Sequence, residues 1–468
     1  MKQIAIIGAG ISGLATAFQI EKKLKESGID HKVHIFEREP KVGGKISAVF
    51  KNGFRCEAGP NGFLDSKPST LQLCEELGLS DKLLRSTDAA RKRFIYSQGK
   101  LHELPTSPPK FFFSGLLSLK GRIRIIGELW APGPKQGTDP TIAEFARRRL
   151  GEEAHAKLLD PMVAGVFAGD TERLSLESCF PRMAELERDY GSLIKAMIKI
   201  QKERKKDPAA RKKKDKGGPA GPGGTLTSFR DGLSVLPQAI ADRFKGRITC
   251  NSDLKKIEKT ARGFRLSFPG AEDFECDCVV AAAPACDTAS PLAHIDEGLT
   301  AVLNRFEFAP ATVVGLGFDK NTIKHDINGF GFLIPKKEHR RILGSLWTSS
   351  IFPHRAPEGS VLLRTIVGGA RSPELAILPE EEIIAMVRDE LKAIMGITAE
   401  PTFVQAFKWE KAICQYTVGH KERLQEVDER VSRIPGLFLT GNSYRGVALN
   451  DCTLNATRIA EKVARFFA

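Results

Sequence analysis

The sequence lacks several features that mark membrane-spanning and aromatic-rich proteins. No apolar run reaches the roughly 20 residues needed to span a bilayer, and the 468 residues include only four Tyr and three Trp. We therefore expect a chain that is not integral to a membrane, with peripheral attachment left open. At 41% hydrophobic residues, the chain can bury a large core across two or three domains.

Cysteine and histidine patterns typical of metal sites and of nucleophilic catalysis are also missing. The nine Cys form no CxxC pair, and the nine His are scattered without metal-ligand spacing. We therefore predict no metal site, no protein nucleophile and reduced thiols, as in a reducing compartment. The apolar N-terminus carries a glycine motif rather than a secretory signal. These features predict a cytoplasmic protein.

The net charge of +14 is concentrated in one segment. Residues 202–216 contain nine Lys or Arg against three Asp or Glu, and GGPAGPGG follows at 217–224. We predict a mobile solvated loop over 201–224, with contact to anionic lipid or another polyanion as the alternative. The charge by itself would also suit a nucleic-acid-binding protein. Basic residues are not interleaved with aromatic residues, however, so we expect no nucleic acid partner.

Three glycines near the N-terminus indicate a dinucleotide site. Gly8, Gly10 and Gly13 follow an apolar segment at 4–7, predicted as a buried strand, and begin a predicted helix over 14–24. In this motif the glycines permit a tight turn, approach of backbone N–H groups to phosphate, and close helix packing. The predicted contacts are Gly8, Ala9, Gly10, Ile11, Ser12 and Gly13. Glu37, after a second predicted strand at 32–36, would bind a ribose 2′-OH.

Two more glycine-rich turns distinguish FAD from NAD. Gly43-Gly44-Lys45 and the segment 57–62 suit a longer ligand that approaches the backbone closely. The predicted cofactor contacts here are Gly44, Lys45, Gly59, Pro60, Asn61 and Gly62.

A second strand, glycine turn and helix lie at 437–464. Backbone N–H groups after Gly446 could face the edge of the flavin where negative charge grows on reduction. The predicted contacts are Gly441, Val447, Ala448 and Leu449. The FAD domain would then be discontinuous.

Three long segments carry a family resemblance. GNSYRGVALNDC at 441–452, DPMVAGVFAGDTERLSLESCFP at 160–181 and RFIYSQGKLHELP at 93–105 resemble the protoporphyrinogen oxidase family of the flavin amine oxidase superfamily. The resemblance implies an α/β fold with a Rossmann-like, discontinuous FAD-binding domain, an α+β substrate domain built on an antiparallel sheet, and a helical membrane-associating lobe. It also implies a homodimer.

The expected domains follow from this fold. They are the FAD domain at 1–90, 225–295 and 405–468, the substrate domain at 91–105 and 296–404, and the helical lobe at 106–200. In the middle of the chain, apolar alternation over 311–367 predicts the antiparallel sheet, and residues 380–395 a helix on one face. The apolar wedge within 108–132, with Phe111 to Phe113, Leu116 and Leu117, would meet an anionic membrane or pack on the protein.

The resemblance also assigns the remaining site residues. Arg93 would bind substrate propionate, the pocket walls would be Phe330, Leu333 and Ile366, and the Gly165 carbonyl would assist proton removal or position the ring. Backbone at Leu254 would contact adenine. The sequence departs from the family's animal members at Lys45 and Lys421, where those members carry Trp, which puts the cofactor contacts at both positions in doubt.

The implied reaction is oxidation of protoporphyrinogen IX in three hydride transfers to flavin, with O2 as electron acceptor and hydrogen peroxide as by-product. Coproporphyrinogen III is an alternative substrate, although its additional carboxylates would need further cations. A flavin amine oxidase is a second alternative, and it would need an aromatic cage that sparse Tyr and Trp do not favour.

Overall fold

The computed structural model describes residues 1–105, 115–134, 137–206 and 224–468. The strands are β1 Lys2–Ile7, β2 His31–Phe36, β3 Ala48–Lys51, β4 Phe54–Glu57, β5 Phe63–Leu64, β6 Leu83–Arg85, β7 Phe94–Ser97, β8 Lys100–Glu103, β9 Leu226–Phe229, β10 Ile248–Thr249, β11 Lys256–Lys259, β12 Phe264–Ser267, β13 Phe274–Cys276, β14 Cys278–Ala281, β15 Phe308–Asp319, β16 Gly331–Leu333, β17 Ile342–Trp347, β18 Ser360–Gly368, β19 Phe403–Cys414 and β20 Leu437–Leu439. The helices of seven or more residues are α1 Ile11–Glu26, α2 Pro68–Glu76, α3 Leu119–Ile126, α4 Ile142–Leu150, α5 Asp160–Phe167, α6 Pro181–Tyr190, α7 Leu193–Lys206, α8 Val235–Ala241, α9 Glu297–Leu303, α10 Glu380–Met395, α11 His420–Ser432 and α12 Leu449–Phe467.

A parallel five-stranded sheet forms the first domain, with strand order β10-β2-β1-β14-β20. Its central strand β1 is apolar from Ile4 to Ile7, as expected for a strand covered on both faces. Helices α1 and α12 pack together against the sheet and enclose an apolar core. Segments from both halves of the sequence therefore complete one Rossmann-like sheet.

The second domain is built on a seven-stranded sheet, with order β19-β15-β18-β17-β16-β7-β8. Its pairs are antiparallel except for β16 and β7, which run parallel. Helix α10 covers one face. Strand β19 pairs with β15 from Phe403 to Cys414. The predicted boundary between residues 404 and 405 cuts this continuous strand, and β19 belongs with the substrate sheet.

Two glycines on β15 set how closely the domains approach. A Cβ atom on Gly315 would lie 2.4 Å from the Cys56 Sγ, and one on Gly317 2.5 Å from the Phe54 ring. Strand β4 therefore packs directly over backbone on the face of the sheet opposite α10. This contact brings the turn that follows β4 to the centre of the substrate sheet.

Helices α3 to α7 form the helical lobe. The buried Glu128 carboxylate accepts hydrogen bonds from Ser192 Oγ at 2.6 Å and from the Leu193 N–H at 2.8 Å, and it pairs with the buried Arg149. Leu116 and Leu117, for which the sequence left membrane contact and packing on the protein as alternatives, are buried. Phe111 to Phe113 lie outside the described residues, as does most of the predicted loop at 201–224. Helix α7 occupies the start of that loop, up to Lys206.

Candidate functional site

The first glycine turn joins β1 to α1. Gly8 has φ +100°, and a Cβ atom on Gly13 would lie 1.9 Å from the Gly8 carbonyl oxygen. At Gly10 no described atom lies within 4 Å of the Cβ position. The first and third glycines are thus required by the fold itself, whereas the second faces open space beside the N-terminus of α1. The first N–H groups of a helix have no partner within it, so they can bind an anion here.

Glu37 follows β2 and lies below this turn. Its carboxylate accepts the Ala9 N–H at 2.6 Å and the Glu39 N–H at 2.9 Å. Each carboxylate oxygen has room for a further donor. The Ser252 N–H donates to the Glu37 carbonyl at 2.8 Å, which places the half-buried Leu254 near the same strand end.

The second glycine turn packs against the first. The Gly43 N–H donates to the Ala9 carbonyl at 2.8 Å, and a Cβ atom on Gly44 would lie 3.3 Å from the Gly10 Cα. Lys45 then points into the protein, where its Nζ donates to the Ala412 carbonyl of β19 at 2.8 Å. Burial lowers the pKa of Lys45 to about 8. Lys421, by contrast, is exposed and pairs with Glu177 at 2.9 Å.

The third turn, residues 58–62, is held by side chains of the substrate sheet. Arg364 of β18 donates to the Gly59 carbonyl at 2.6 Å, and Trp409 Nε1 of β19 donates to the Ala58 carbonyl at 2.9 Å. The Asn61 side chain is 7% exposed, and neither of its amide atoms has a partner among the described residues. Pro60 is exposed, whereas Gly59 and Gly62 are half-buried against Lys45 and Thr227.

The C-terminal segment approaches from the other side. Gly441 has φ +117° directly after β20, and Gly446 has φ +86° against Asp451. Ala448 precedes α12 without a side-chain cap, and Leu449 begins that helix. The buried Thr440 hydroxyl has no partner in the described part of the chain. This segment therefore offers a second helix N-terminus, with Val447 half-buried beside it.

On the substrate sheet, Arg93 and Phe330 are neighbours. The Arg93 guanidinium stacks on the Phe330 ring at 5.2 Å. Arg93 is exposed and has no carboxylate partner within the described ranges, while the atoms around its guanidinium group lower its pKa by desolvation. The Phe330 N–H donates to the Lys92 carbonyl at 2.7 Å, which fixes the two strands side by side.

Leu333 and Ile366 lie in one row across three strands. Leu333 pairs with Gly344, and Gly344 pairs with Ile366. Gly344 has no side chain, so the half-buried Leu333 side chain extends over it, with Leu333 Cδ2 3.1 Å from the Gly344 Cβ position. Gly165, in the last turn of α5, packs against this row, since a Cβ atom there would lie 2.8 Å from Leu333 Cδ2. Its carbonyl belongs to the helix end, where carbonyl groups lack intrahelical partners.

Arg364 and Trp409 were not predicted from the sequence as site residues. The available signal was a single charged residue inside the apolar run of β18, SVLLRTIVG. A cation in such a run has to find a partner in the core. That partner lies on a turn about 300 residues earlier in the chain, and the sequence alone does not identify it.

The sequence matches one known protein family over nearly its whole length. A family model described as "Flavin containing amine oxidoreductase" matches residues 11–464. The chain belongs to this family. It is a flavin-dependent oxidoreductase, with FAD as cofactor.

Relatives of this flavoenzyme include two kinds of porphyrinogen oxidase. A coproporphyrinogen III oxidase of Bacillus subtilis is 32% identical over 96% of this chain and 95% of its own length. A chloroplastic protoporphyrinogen oxidase of Nicotiana tabacum is 31% identical, covering 99% of this chain and 85% of the relative. A solved structure from Exiguobacterium sp. 255-15, provisionally named a protoporphyrinogen oxidase, superposes with a TM-score of 0.82 at 26% identity over 99% of both chains.

The residues of this flavoenzyme fit the cofactor. The three turns and the C-terminal segment supply two helix N-termini, one open glycine position and a Glu37 carboxylate with spare acceptor capacity. The unpartnered Asn61 amide and Thr440 hydroxyl are buried polar groups of the kind a bound ligand satisfies. Among the described residues no helix combines the length and apolar character of a bilayer span.

Proposed function

We propose that the chain oxidises a porphyrinogen with FAD, and that protoporphyrinogen IX is the substrate, converted to protoporphyrin IX. The observation that carries the proposal is the occurrence, on one sheet, of an apolar row and of Arg93, which directly precedes β7 and has no carboxylate partner among the described residues. The row of Leu333, Gly344 and Ile366 suits a flat, apolar macrocycle, and Arg93 suits a propionate. The names of the relatives support the same substrate class.

The chain's own residues would bind and orient the substrate. Arg93 can pair with a carboxylate through two parallel N–H donors, while Phe330, Leu333 and Ile366 contact the ring. The carbonyl of Gly165, a residue that packs against Leu333, would orient a ring N–H by accepting its hydrogen bond. The Gly8–Gly13 turn, Glu37, the 58–62 turn and the start of α12 would hold FAD. FAD bound there would supply the hydride acceptor, with O2 as the final electron acceptor and hydrogen peroxide as the by-product.

Coproporphyrinogen III is the second candidate substrate, favoured by the Bacillus subtilis relative that bears its name. It has more carboxylates than protoporphyrinogen IX. Arg93 is one cation, and the adjacent Lys92 is exposed. Binding of this substrate would therefore depend on Lys92 as well as on Arg93.

The test is anaerobic reduction of the bound flavin by each porphyrinogen, followed by air and porphyrin fluorescence. We expect protoporphyrinogen IX to bleach the flavin faster. R93A should raise KM by about tenfold or more through loss of a charged hydrogen bond, while K92A serves as the matched control and should leave this substrate unaffected. Faster bleaching by coproporphyrinogen III, with K92A impaired, would assign the second candidate. No bleaching by either would reject both and favour an amine oxidase.

We also infer that α3 contacts an anionic membrane surface. Leu119, Ile123, Ile126 and Trp130 are 42–77% exposed and follow a helical spacing. We call these four residues the α3 stripe. Exposed Lys120 lies beside it, and apolar residues flanked by cations suit a lipid interface. The homodimer and the cytoplasmic location stay predictions.

A further inference from the structure

Arg364 is a buried cation in the middle of an apolar strand. Its side chain is 3% exposed, and it donates to the Gly59 carbonyl at 2.6 Å. Its Nε has no partner among the described residues. A charge this deeply buried is costly unless something compensates it. A backbone carbonyl is a partial partner only.

The packing of β4 explains why Arg364 meets the flavin turn. Arg364 pairs across the sheet with Gly315. Because Gly315 has no side chain, Cys56 of β4 fits over it. The chain then continues through Glu57 and Ala58 to Gly59, which arrives above the guanidinium. The contact is therefore built into the interface between the two sheets.

The surrounding charges do not balance. Glu57 is 1% exposed and pairs with Arg355, which is 0% exposed, at 3.0 Å. Burial raises the pKa of Glu57, lowers the pKa values of Arg355 and Arg364, and raises the pKa of the Cys56 thiol to about 11. Among the described residues, Glu57 is the one carboxylate within ion-pair distance of either of these two buried guanidinium groups. One positive charge is left over behind the turn.

The proposed reaction supplies a negative charge on this side of the protein. Transfer of one hydride to FAD adds two electrons and one proton, which makes the cofactor one unit more negative. We propose that Arg364 is a positioning residue that holds the Gly59 turn against the flavin and provides the buried positive charge that favours the reduced cofactor. The inference rests on the proposed binding of FAD at this turn.

Trp409 provides a matched neutral comparison. Its Nε1 donates to the Ala58 carbonyl, adjacent to the carbonyl that Arg364 holds. Both side chains come from the substrate sheet, and both restrain the same turn. They differ in charge. A purely structural role predicts similar effects on removing either contact, whereas an electrostatic role predicts a shift of potential only for Arg364.

The experiment compares R364M, R364K and W409F as purified flavoproteins. Flavin content and Tm are recorded first. The flavin midpoint potential is then measured by equilibration with a reference dye, and the dissociation constant of sulfite, which adds to oxidised flavin and leaves it negatively charged, is measured by titration. Neither readout needs porphyrinogen turnover.

For R364M we expect about tenfold weaker sulfite binding and a midpoint potential about 30 mV more negative, the equivalent of a tenfold change for a two-electron couple. R364K should keep the wild-type potential, and W409F should not shift it. An unchanged potential in R364M, or an equal shift in W409F, would overturn the proposal.

If R364M retains no flavin, R364K decides the question, because it keeps the charge and loses the forked donor. A wild-type potential is then expected, and a potential as low as that of free FAD would overturn the proposal. Wild-type protein that holds FAD but oxidises neither porphyrinogen would reject the proposed substrates and leave this inference standing. Wild-type protein that binds no FAD would contradict both the proposed function and the inference about Arg364.

Discussion

Gly10 and Gly13 belong to one motif but have different structural roles. Gly10 has φ −69° and ψ 173°, which any residue adopts, and its Cβ position is open among the described atoms. Gly13 lies against the Gly8 carbonyl, where a Cβ atom has no room. One glycine therefore serves the ligand and the other serves the packing of α1 on β1.

This difference predicts distinct outcomes for two substitutions. G10E should fold with the Tm of flavin-free wild-type protein but retain no flavin, because its carboxylate would occupy the phosphate position beside a helix N-terminus. G13A, the comparison variant, should lose about 1–3 kcal/mol of unfolding free energy through overpacking. The measurements are bound flavin by absorbance and unfolding by circular dichroism. A G10E protein as yellow as the wild type would contradict the assignment of this loop.

Among the strands and helices, the sequence predicted correctly the positions of those that a local residue pattern defines. Apolar strands next to glycine turns located β1, β2 and β20 to within a residue or two, and the amphipathic pattern of 380–395 matches α10. Pairing was harder, because the parallel contact of β16 with β7 joins segments more than 200 residues apart. The alternation of residue types along β19 does not indicate which of the two sheets the strand joins.

In the candidate site, too, features set by a local pattern were predictable and contacts between distant segments were not. The glycine turns were predictable, because tight turns and phosphate approach limit the residue type. The family resemblance supplied Arg93, Phe330, Leu333 and Ile366. The structure places Arg93 before β7, Phe330 before β16, Leu333 on β16 and Ile366 on β18. Arg364 and Trp409 act on carbonyl groups of a distant turn. No periodicity encodes a contact between a side chain and a remote backbone carbonyl.

Helix α3 carries a prediction that belongs to this scale. The double variant I123S/W130S should reduce co-sedimentation with vesicles that contain anionic lipid by about fivefold or more, because two exposed apolar side chains would no longer enter the interface. The flavin content should not change. I377S removes an equally exposed apolar side chain, 62% exposed, from outside the α3 stripe and should bind vesicles as the wild type does. Equal binding by all three proteins would assign no membrane role to the stripe.

The proposed cofactor site is assembled from distant parts of the chain. It combines the three N-terminal turns, the start of α12 and the side chains of the substrate sheet that donate to the carbonyl groups of Ala58 and Gly59. Helix α10 covers one face of the substrate sheet, and β4 with the turn at residues 58–62 lies on the other face. Bound FAD would therefore connect elements that otherwise meet only through protein contacts.

We accordingly expect FAD to stabilise the entire fold rather than one loop. At a free concentration 100 times its dissociation constant, a ligand specific for the native state adds about 2.7 kcal/mol to the unfolding free energy. Thermal unfolding of flavin-free protein should shift upward with added FAD, and hydrogen exchange should slow at residues 58–62 and 440–449 together. ADP, which contains the adenine and diphosphate half alone, should protect the Gly8–Gly13 turn and leave 58–62 unchanged. Protection by FAD confined to one segment would contradict a shared site.

Because β1 and β20 belong to one sheet, that sheet can form completely only after both strands have been synthesised. Strand β1 precedes β14, β20 and α12 in the chain, so its sheet is complete only after those later segments have been translated. Until then the nascent chain has the first phosphate turn without the segment that completes the site. Binding of FAD at the complete proposed site would therefore require that β20 and α12 have been synthesised.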